Sequence, residues 1–222
     1  MSPTASLDDL RRALLQTARA MQAEGVNRGT AGNVSVRCAD GDGVDFLVTP
    51  TGVDNETANP GDMVAMKFDG THSGRLLPSS EWRFHRDIYA QRVDAGAIIH
   101  AHSPFATALA CQGRAIPAFH YMIARFGGAD VRCAPYATFG TQALSDAALC
   151  ALEGRCACLL ANHGMLVFGR DLPHALALAI EFETLCEQFW RTVQVGPPQV
   201  IDAAEMARVV EKFSTYGQQA TA

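Results

Sequence analysis

Ala95-Gly96-Ala97-Ile98-Ile99-His100-Ala101-His102 is the stretch from which the rest of the chain can be read. Its small and β-branched residues form a continuous apolar run, the pattern of a strand buried on both faces. Side chains at i and i+2 of a strand share a face, so His100 and His102 point at one place. Ser103-Pro104 then opens a helix to Cys111, with proline in the first turn, where its missing N–H costs nothing. A buried strand followed at once by a helix indicates an α/β chain with layered helices and sheet.

Working outward toward the N-terminus, Ser79-Ser80-Glu81 opens a helix that carries Trp82, Ile88 and Tyr89. Asp62 to Phe68 and Val44 to Thr49 read as strands, separated from their neighbours by Asp69-Gly70 and Pro50-Thr51-Gly52. Asp40-Gly-Asp-Gly43 reads as a hairpin-like turn, and the glycine-rich run from Asn27 leads into an alternating strand up to Arg37. Leu7, Leu10, Leu14, Ala18 and Met21 predict a first helix from Ser6 to Glu24, ended by Gly25. Toward the C-terminus, Cys156 to Ala161 is a second buried strand, ending in Asn162-His163-Gly164. A helix from Pro173 to Trp190 carries an apolar face, and a last helix spans Ala203 to Phe213 behind the capping pair Asp202 and Glu205. With no repeat and no linker-like composition shift, residues 1–222 read as one domain.

The 222 residues are 48% hydrophobic and 18% charged, which excludes general disorder. The net charge of -5 comes with no basic stripe, so nucleic-acid binding is not expected. No apolar run approaches the roughly 18 residues of a membrane span, and the polar, acidic start carries no signal-peptide pattern. Seven irregularly spaced cysteines suit free thiols in a reducing compartment, so a cytoplasmic setting is expected.

The seven histidines carry more information. A pair at i and i+2 can be two hydrogen-bonded core imidazoles or two ligands of one metal ion. The metal reading is preferred, because imidazole binds zinc well and paired buried imidazoles are costly without a partner. His163 also follows an apolar strand, and three histidines with an open fourth position is the pattern of a catalytic zinc. Ser79 and Ser80 can cap a helix, or can hold an anion together with free N–H groups and the helix dipole. Glu81 is either a carboxylate that favours the dipole or, beside zinc, a ligand, a general base, or both in turn. Gly29-Thr-Ala-Gly32-Asn33 and Thr51-Gly52 are tight turns or ligand cradles; neither matches a nucleotide motif. His85 lies four residues after Glu81 on the same helix face and suits a supporting or packing role. Cys156 and Cys158 read as small core residues. His72, His120 and His174 have no evident partner.

Several segments together resemble the class II aldolase/adducin family. They are Ala31-Gly-Asn-Val-Ser35, Thr49-Pro-Thr-Gly52, Ser79-Ser-Glu-Trp-Arg-Phe-His85, His100-Ala-His102 and Asn162-His-Gly164. Ile116 to Ile123, Cys133 to Gly140 and Lys212 to Gly217 further resemble its L-fuculose-1-phosphate branch. The resemblance runs in order from about residue 6 to 217. It implies a layered α/β/α domain with a mixed, mainly antiparallel central sheet, assembled as a homotetramer with active sites between subunits. It implies one Zn2+ per subunit held by Glu81, His100, His102 and His163. A substrate phosphate would fall on Gly32, Asn33, Thr51, Gly52, Ser79 and Ser80. Tyr121 matches a proton donor that reaches a neighbouring subunit's site; Tyr216 arranges the aldehyde end, which Phe139 lines. The implied activity is retro-aldol cleavage of a ketose 1-phosphate, of the L-fuculose 1-phosphate type, to dihydroxyacetone phosphate and a short aldehyde. The zinc would act as Lewis acid, while Glu81 shuttles the proton at C3. The alternatives are cleavage of 5-deoxyribulose 1-phosphate or 5-methylthioribulose 1-phosphate, epimerisation of L-ribulose 5-phosphate, or a non-catalytic scaffold like the adducin head.

Overall fold

The structure is a computed structural model and describes residues 6–39 and 43–213. In chain order its elements are α1 (Leu7–Ala23), β1 (Asn33–Arg37), β2 (Phe46–Val48), β3 (Val64–Met66), β4 (His72–Ser73) and α2 (Trp82–Gln91). Then come β5 (Ala97–Ala101), α3 (Pro104–Ala110), β6 (Ile116–Pro117), β7 (Asp130–Ala134) and α4 (Gln142–Ala151). The last are β8 (Ala157–Leu160), β9 (Gly164–Gly169), α5 (Leu172–Val195) and α6 (Ala203–Phe213). Short 3-10 turns cover Pro60–Asp62 and Tyr121–Phe126.

The strands join side by side in the order β4-β3-β2-β1-β5-β9-β8-β7-β6. Every neighbouring pair is antiparallel except β7 and β8. The period-2 alternation of strands divides the core in two. Val34, Val36, Ile99, Ala101, Leu159, Met165 and Val167 pack on one face with Leu14 of α1, Leu109 of α3 and Phe182 of α5. Phe46, Val48, Ile98, Cys158, Leu160, Leu166 and Phe168 pack on the other with Phe84 and Ile88 of α2 and Leu144 of α4. The result is the expected α/β/α layering around a mixed, mainly antiparallel sheet. Slipping β1 by one residue would turn Val34 and Val36 onto the wrong face. Fully burying each is worth about 1.5–3 kcal/mol, so the register is strongly specified.

Local chemistry sets the helix ends. Ser6 Oγ accepts the Asp9 N–H at 3.2 Å while the Asp9 carboxylate accepts the Ser6 N–H, closing the first turn of α1. Gly25, just beyond it, takes φ +73, where a side chain would be strained. Asp202 Oδ1 accepts the Glu205 N–H at 2.8 Å, as the capping pair predicts for α6.

Several boundaries differ from the expectation. The strand expected from Asp62 begins at Val64, because Pro60 favours a 3-10 turn in which Asp62 caps Asn59. The helix expected to end at Trp190 continues to Val195, where Gly196 ends it. α4, β7 and β9 were not anticipated; β9 is a continuous apolar run without the alternation that marks a half-buried strand. Of the turn at Asp40 to Gly43, residues 40–42 lie outside the described residues. All seven cysteines are free thiols. No helix among the described residues is long and apolar enough to cross a membrane.

Candidate active site

The site is built where β5 ends beside the beginning of β9. Ile98 and His100 face the α2 layer of the sheet, and His102 follows one residue beyond the strand. β5 and β9 are antiparallel with Ala101 opposite Met165, so the residue entering β9 lies next to the residues leaving β5. That residue is Gly164, and the turn before it presents His163. The turn is tight: the His163 N–H donates to the Leu160 carbonyl at 3.0 Å, and Asn162 sits at φ +56. Asparagine tolerates this left-handed conformation better than most side chains. Gly164 has no room for a side chain, since a Cβ there would stand 2.5 Å from the Ala101 carbonyl oxygen.

The three imidazoles stand nearly perpendicular to one another, at interplanar angles of 78°, 72° and 71°. Each offers a ring nitrogen within 4.8 Å of the others. Glu81 reaches them from the turn before α2. Its Oε2 is 3.2 Å from His100 Nε2, and its Oε1 is 3.3 Å from His163 Nε2. His100 Nε2 is 3.0 Å from His102 Nε2.

This donor set fits a metal ion on three counts. Tetrahedral bonds of about 2.0–2.1 Å to nitrogen place neighbouring ligand atoms about 3.3–3.4 Å apart, close to the spacings found. His100 Nδ1 lies 2.8 Å from the Met165 carbonyl, so it is the protonated nitrogen and Nε2 is directed at the cluster. Finally, Glu81 Oε1 is buried without a hydrogen bond. Burial alone would push the Glu81 carboxyl up; the charge and hydrogen bond of His100, the His163 charge and the Asn33 amide outweigh it and hold it at about 2. Burial and the charge of His100 push His163 down to about 4, leaving its imidazole neutral near pH 7. Glu81 is thereby ionised and His163 neutral, as metal ligation needs, while His100, raised by the Glu81 carboxylate, would give up its Nε2 proton to a bound ion.

Behind the carboxylate lies a buried polar chain. Asn33 Nδ2 donates to Glu81 Oε2 at 3.0 Å, and Asn33 Oδ1 is 2.6 Å from His85 Nε2. His85 Nδ1 is 2.7 Å from Ser35 Oγ, which is 2.8 Å from the Tyr89 hydroxyl.

In front of the cluster opens a cavity of about 390 Å³. Of the residues expected to touch substrate, Thr51, Gly52, Ser80 and Phe139 line it, together with Glu81, His102 and His163. Tyr136 and Asn162, not anticipated as lining residues, line it as well. Only their neighbours in sequence, Phe139 and His163, hinted at this. Gly32, Asn33 and Ser79 are not lining residues. Gly32 packs against Asn27 and the His100 carbonyl, Asn33 is engaged with Glu81 and His85, and Ser79 Oγ accepts the Glu81 N–H at 3.3 Å. Tyr121 stands apart, half exposed and stacked on Phe213 with ring centroids 6.3 Å apart. Tyr216 lies outside the described residues. Ser35 and Tyr89 appear in the sequence only as parts of a motif and of a helix, with no site role expected, although a serine alternating with Asn33 inside a buried strand is a visible sign.

The likeness to known proteins bears on this geometry. A family model described as the class II aldolase and adducin N-terminal domain matches residues 12–190. The 5-methylthioribulose-1-phosphate/5-deoxyribulose-1-phosphate aldolase of Rhodospirillum rubrum is 53% identical, over 95% of this chain and 94% of its own. The L-fuculose phosphate aldolase of Escherichia coli K12 is 45% identical, over 94% of this chain and 95% of its own. A solved L-fuculose 1-phosphate aldolase superposes with a TM-score of 0.89 at 40% identity, covering 96% of this chain and all of the other. With the three-histidine cluster and its carboxylate in place, the chain belongs to the class II aldolase and adducin family.

Proposed function

We propose that this aldolase-family chain is a metal-dependent lyase that cleaves a ketose 1-phosphate to dihydroxyacetone phosphate and a short aldehyde. The observation that carries the reading is the convergence of His100, His102, His163 and Glu81, the last three of which line an open cavity. Those four side chains would hold the ion, read as Zn2+ because imidazole and carboxylate suit it. Bound there, it would supply Lewis acidity toward the negative charge that develops on the C2 oxygen.

The remaining steps belong to the chain's own residues. Thr51, Gly52 and Ser80 bind the phosphate at the cavity wall, away from the bond that breaks, so its binding free energy serves orientation. Gly32, Asn33 and Ser79 support that wall and the carboxylate from behind. Breaking C3–C4 releases the C4 oxygen as an aldehyde and leaves an electron pair delocalised from C3 onto the C2 oxygen. Tyr121, brought from a neighbouring subunit of a homotetramer, exchanges the proton on the C4 oxygen. Tyr121 passes the C4 proton on to solvent, and Glu81, protonated from solvent, delivers one proton to C3. The net change moves one proton from the C4 hydroxyl to C3, and no lysine Schiff base is required. Phe139 flanks the aldehyde end, and the family resemblance assigns Tyr216 a part in arranging the aldehyde.

The identity of the aldehyde follows from the half of the substrate that the metal and phosphate residues do not touch. The relatives at 53% and 45% identity are named for different ketose phosphates and cover this chain about equally. The test is dihydroxyacetone phosphate release from L-fuculose 1-phosphate, 5-deoxyribulose 1-phosphate and 5-methylthioribulose 1-phosphate in parallel. Release from at least one, abolished by a chelator and restored by Zn2+, supports the reading. No release from any of the three, or release indifferent to the chelator, overturns it.

A further inference from the structure

The polar chain behind Glu81 has one consistent direction. An ionised carboxylate only accepts hydrogen bonds, so the Asn33 group facing Glu81 Oε2 is the Nδ2 amide, and Oδ1 faces His85. Oδ1 is an acceptor, so His85 Nε2 carries the proton. His85 is fully buried, and burial disfavours the charged imidazole, so the ring is neutral. Nδ1 is then bare and accepts from the Ser35 hydroxyl, which accepts in its turn from the Tyr89 hydroxyl. Each link donates toward the carboxylate: Tyr89 to Ser35, Ser35 to His85, His85 to Asn33, Asn33 to Glu81.

The scaffold holds every member of this chain rigidly. Asn33 and Ser35 occupy alternate positions of β1, on the face that packs against α2. Asn33 lies opposite His100 in the sheet register, and Ser35 opposite Ile98. His85 and Tyr89 are one turn apart on α2 and point at that face. All four side chains are buried, with Ser35 and His85 wholly inaccessible. Four polar side chains in an otherwise apolar layer are costly unless every one is satisfied, and here each finds its partner.

We propose that Ser35, His85 and Tyr89 are positioning residues that fix the Asn33 amide, and through it the Glu81 carboxylate, by locking His85 in its Nε2–H tautomer. The reading rests on Glu81 as proton carrier. The reverse tautomer would rotate the amide, turn Asn33 Oδ1 toward Glu81 Oε2, and set two acceptors against each other. Ser35 prevents this only while its own hydroxyl is committed by Tyr89. The lock matters for turnover because a proton carrier a few tenths of an ångström out of place is a poor one, whereas substrate affinity rests on the cavity wall.

The test has two readouts. In the metal-loaded protein with 15N-labelled histidine, two-bond nitrogen–proton correlations report the tautomer; the His85 signals are those missing from His85→Gln. The expected result is a protonated Nε2 and a bare Nδ1. Ser35→Ala is expected to give mixed tautomers and kcat lowered about tenfold, with KM changed less than about twofold and metal content intact. Tyr89→Phe keeps its ring against Phe46, at a centroid distance of 5.4 Å, and gives a smaller fall in kcat of the same kind. If Ser35→Ala does not fold, Tyr89→Phe carries the same comparison. A bare Nε2 in the unsubstituted protein, or wild-type kcat in both variants while Glu81→Gln is inactive, overturns the relay. Normal turnover by Glu81→Gln overturns instead the reading of Glu81 on which the relay rests.

Discussion

Gly164→Ala puts the architecture of the histidine cluster under a measurable load. The added Cβ would lie 2.5 Å from the Ala101 carbonyl oxygen and 3.0 Å from His102 Cδ2, where ordinary contact begins at 3.4 Å. β5 and β9 must therefore part by about 0.9 Å at the point where they present His102 and His163. Metal–ligand distances tolerate about 0.2 Å, so the cluster cannot absorb the displacement unchanged. A ligand shell disturbed on this scale loses about tenfold or more in metal affinity. Overpacking of a rigid core costs about 1–3 kcal/mol, which lowers Tm by roughly 2–12 °C in a chain of this size. The sign is diagnostic. Gly164 is not in the left-handed region, so alanine there would stabilise by about 0.4–1 kcal/mol through the unfolded state if contacts were neutral. Chelator competition reads the metal affinity, and a thermal melt of the chelated protein reads the strand contact separately. Unchanged metal affinity with an unchanged or raised Tm would refute the argument that close strand approach at Gly164 sets the cluster.

Glu81→Gln should retain metal through His100, His102 and His163 yet lose most turnover, and near-normal dihydroxyacetone phosphate release would remove Glu81 from proton transfer. Tyr121→Phe should leave melting and metal content unchanged while slowing cleavage; an unaltered rate would make the tyrosine structural. Asn162→Val places a β-branched residue at φ +56 and should cost about 1–2 kcal/mol by denaturant titration, whereas Asn162→Gly should be nearly neutral. The chelated protein should lose stability as pH falls below about 6.5. His85 is held at about 3 and His163 at about 4 when folded, and His102 is lowered as well, so the unfolded chain takes up these protons first, at about 1.4 kcal/mol per pH unit for each of His85 and His163 over most of that window. The raised His100 acts with the opposite sign but only as pH rises above about 6.5, so it does not mask the effect. A flat denaturant midpoint between pH 6 and 4.5 would contradict the neutral, buried imidazoles of His85 and His163.

Much of this molecule is legible in local pattern. The capping pair at Asp202 and Glu205, the apolar stripe of α5 and the paired histidines of β5 follow from spacing alone. α4 was missed because its apolar residues are mostly alanines, and β9 because a run buried on both faces has no alternation to reveal it. At the site, the residue types needed for a metal were evident, while the division of labour among their neighbours was not. Asn33 and Ser79, which as sequence suggest an anion cradle, spend their side chains on Glu81 and His85.

By itself, then, the sequence determined which residues are suited to ligate a metal, to cap helices and to fill the core, because those roles depend on residue type and on periods of 2 and 3.6. Only the tertiary structure decided which of them meet. His163 is more than sixty positions from His100, and Glu81 joins them from another layer. Their meeting depends on the antiparallel register of β5 and β9 and on a glycine small enough to let the strands close. The order of donors from Tyr89 to Glu81 likewise belongs to the fold, because a hydrogen bond acquires a direction only once its partners are buried together and water is excluded.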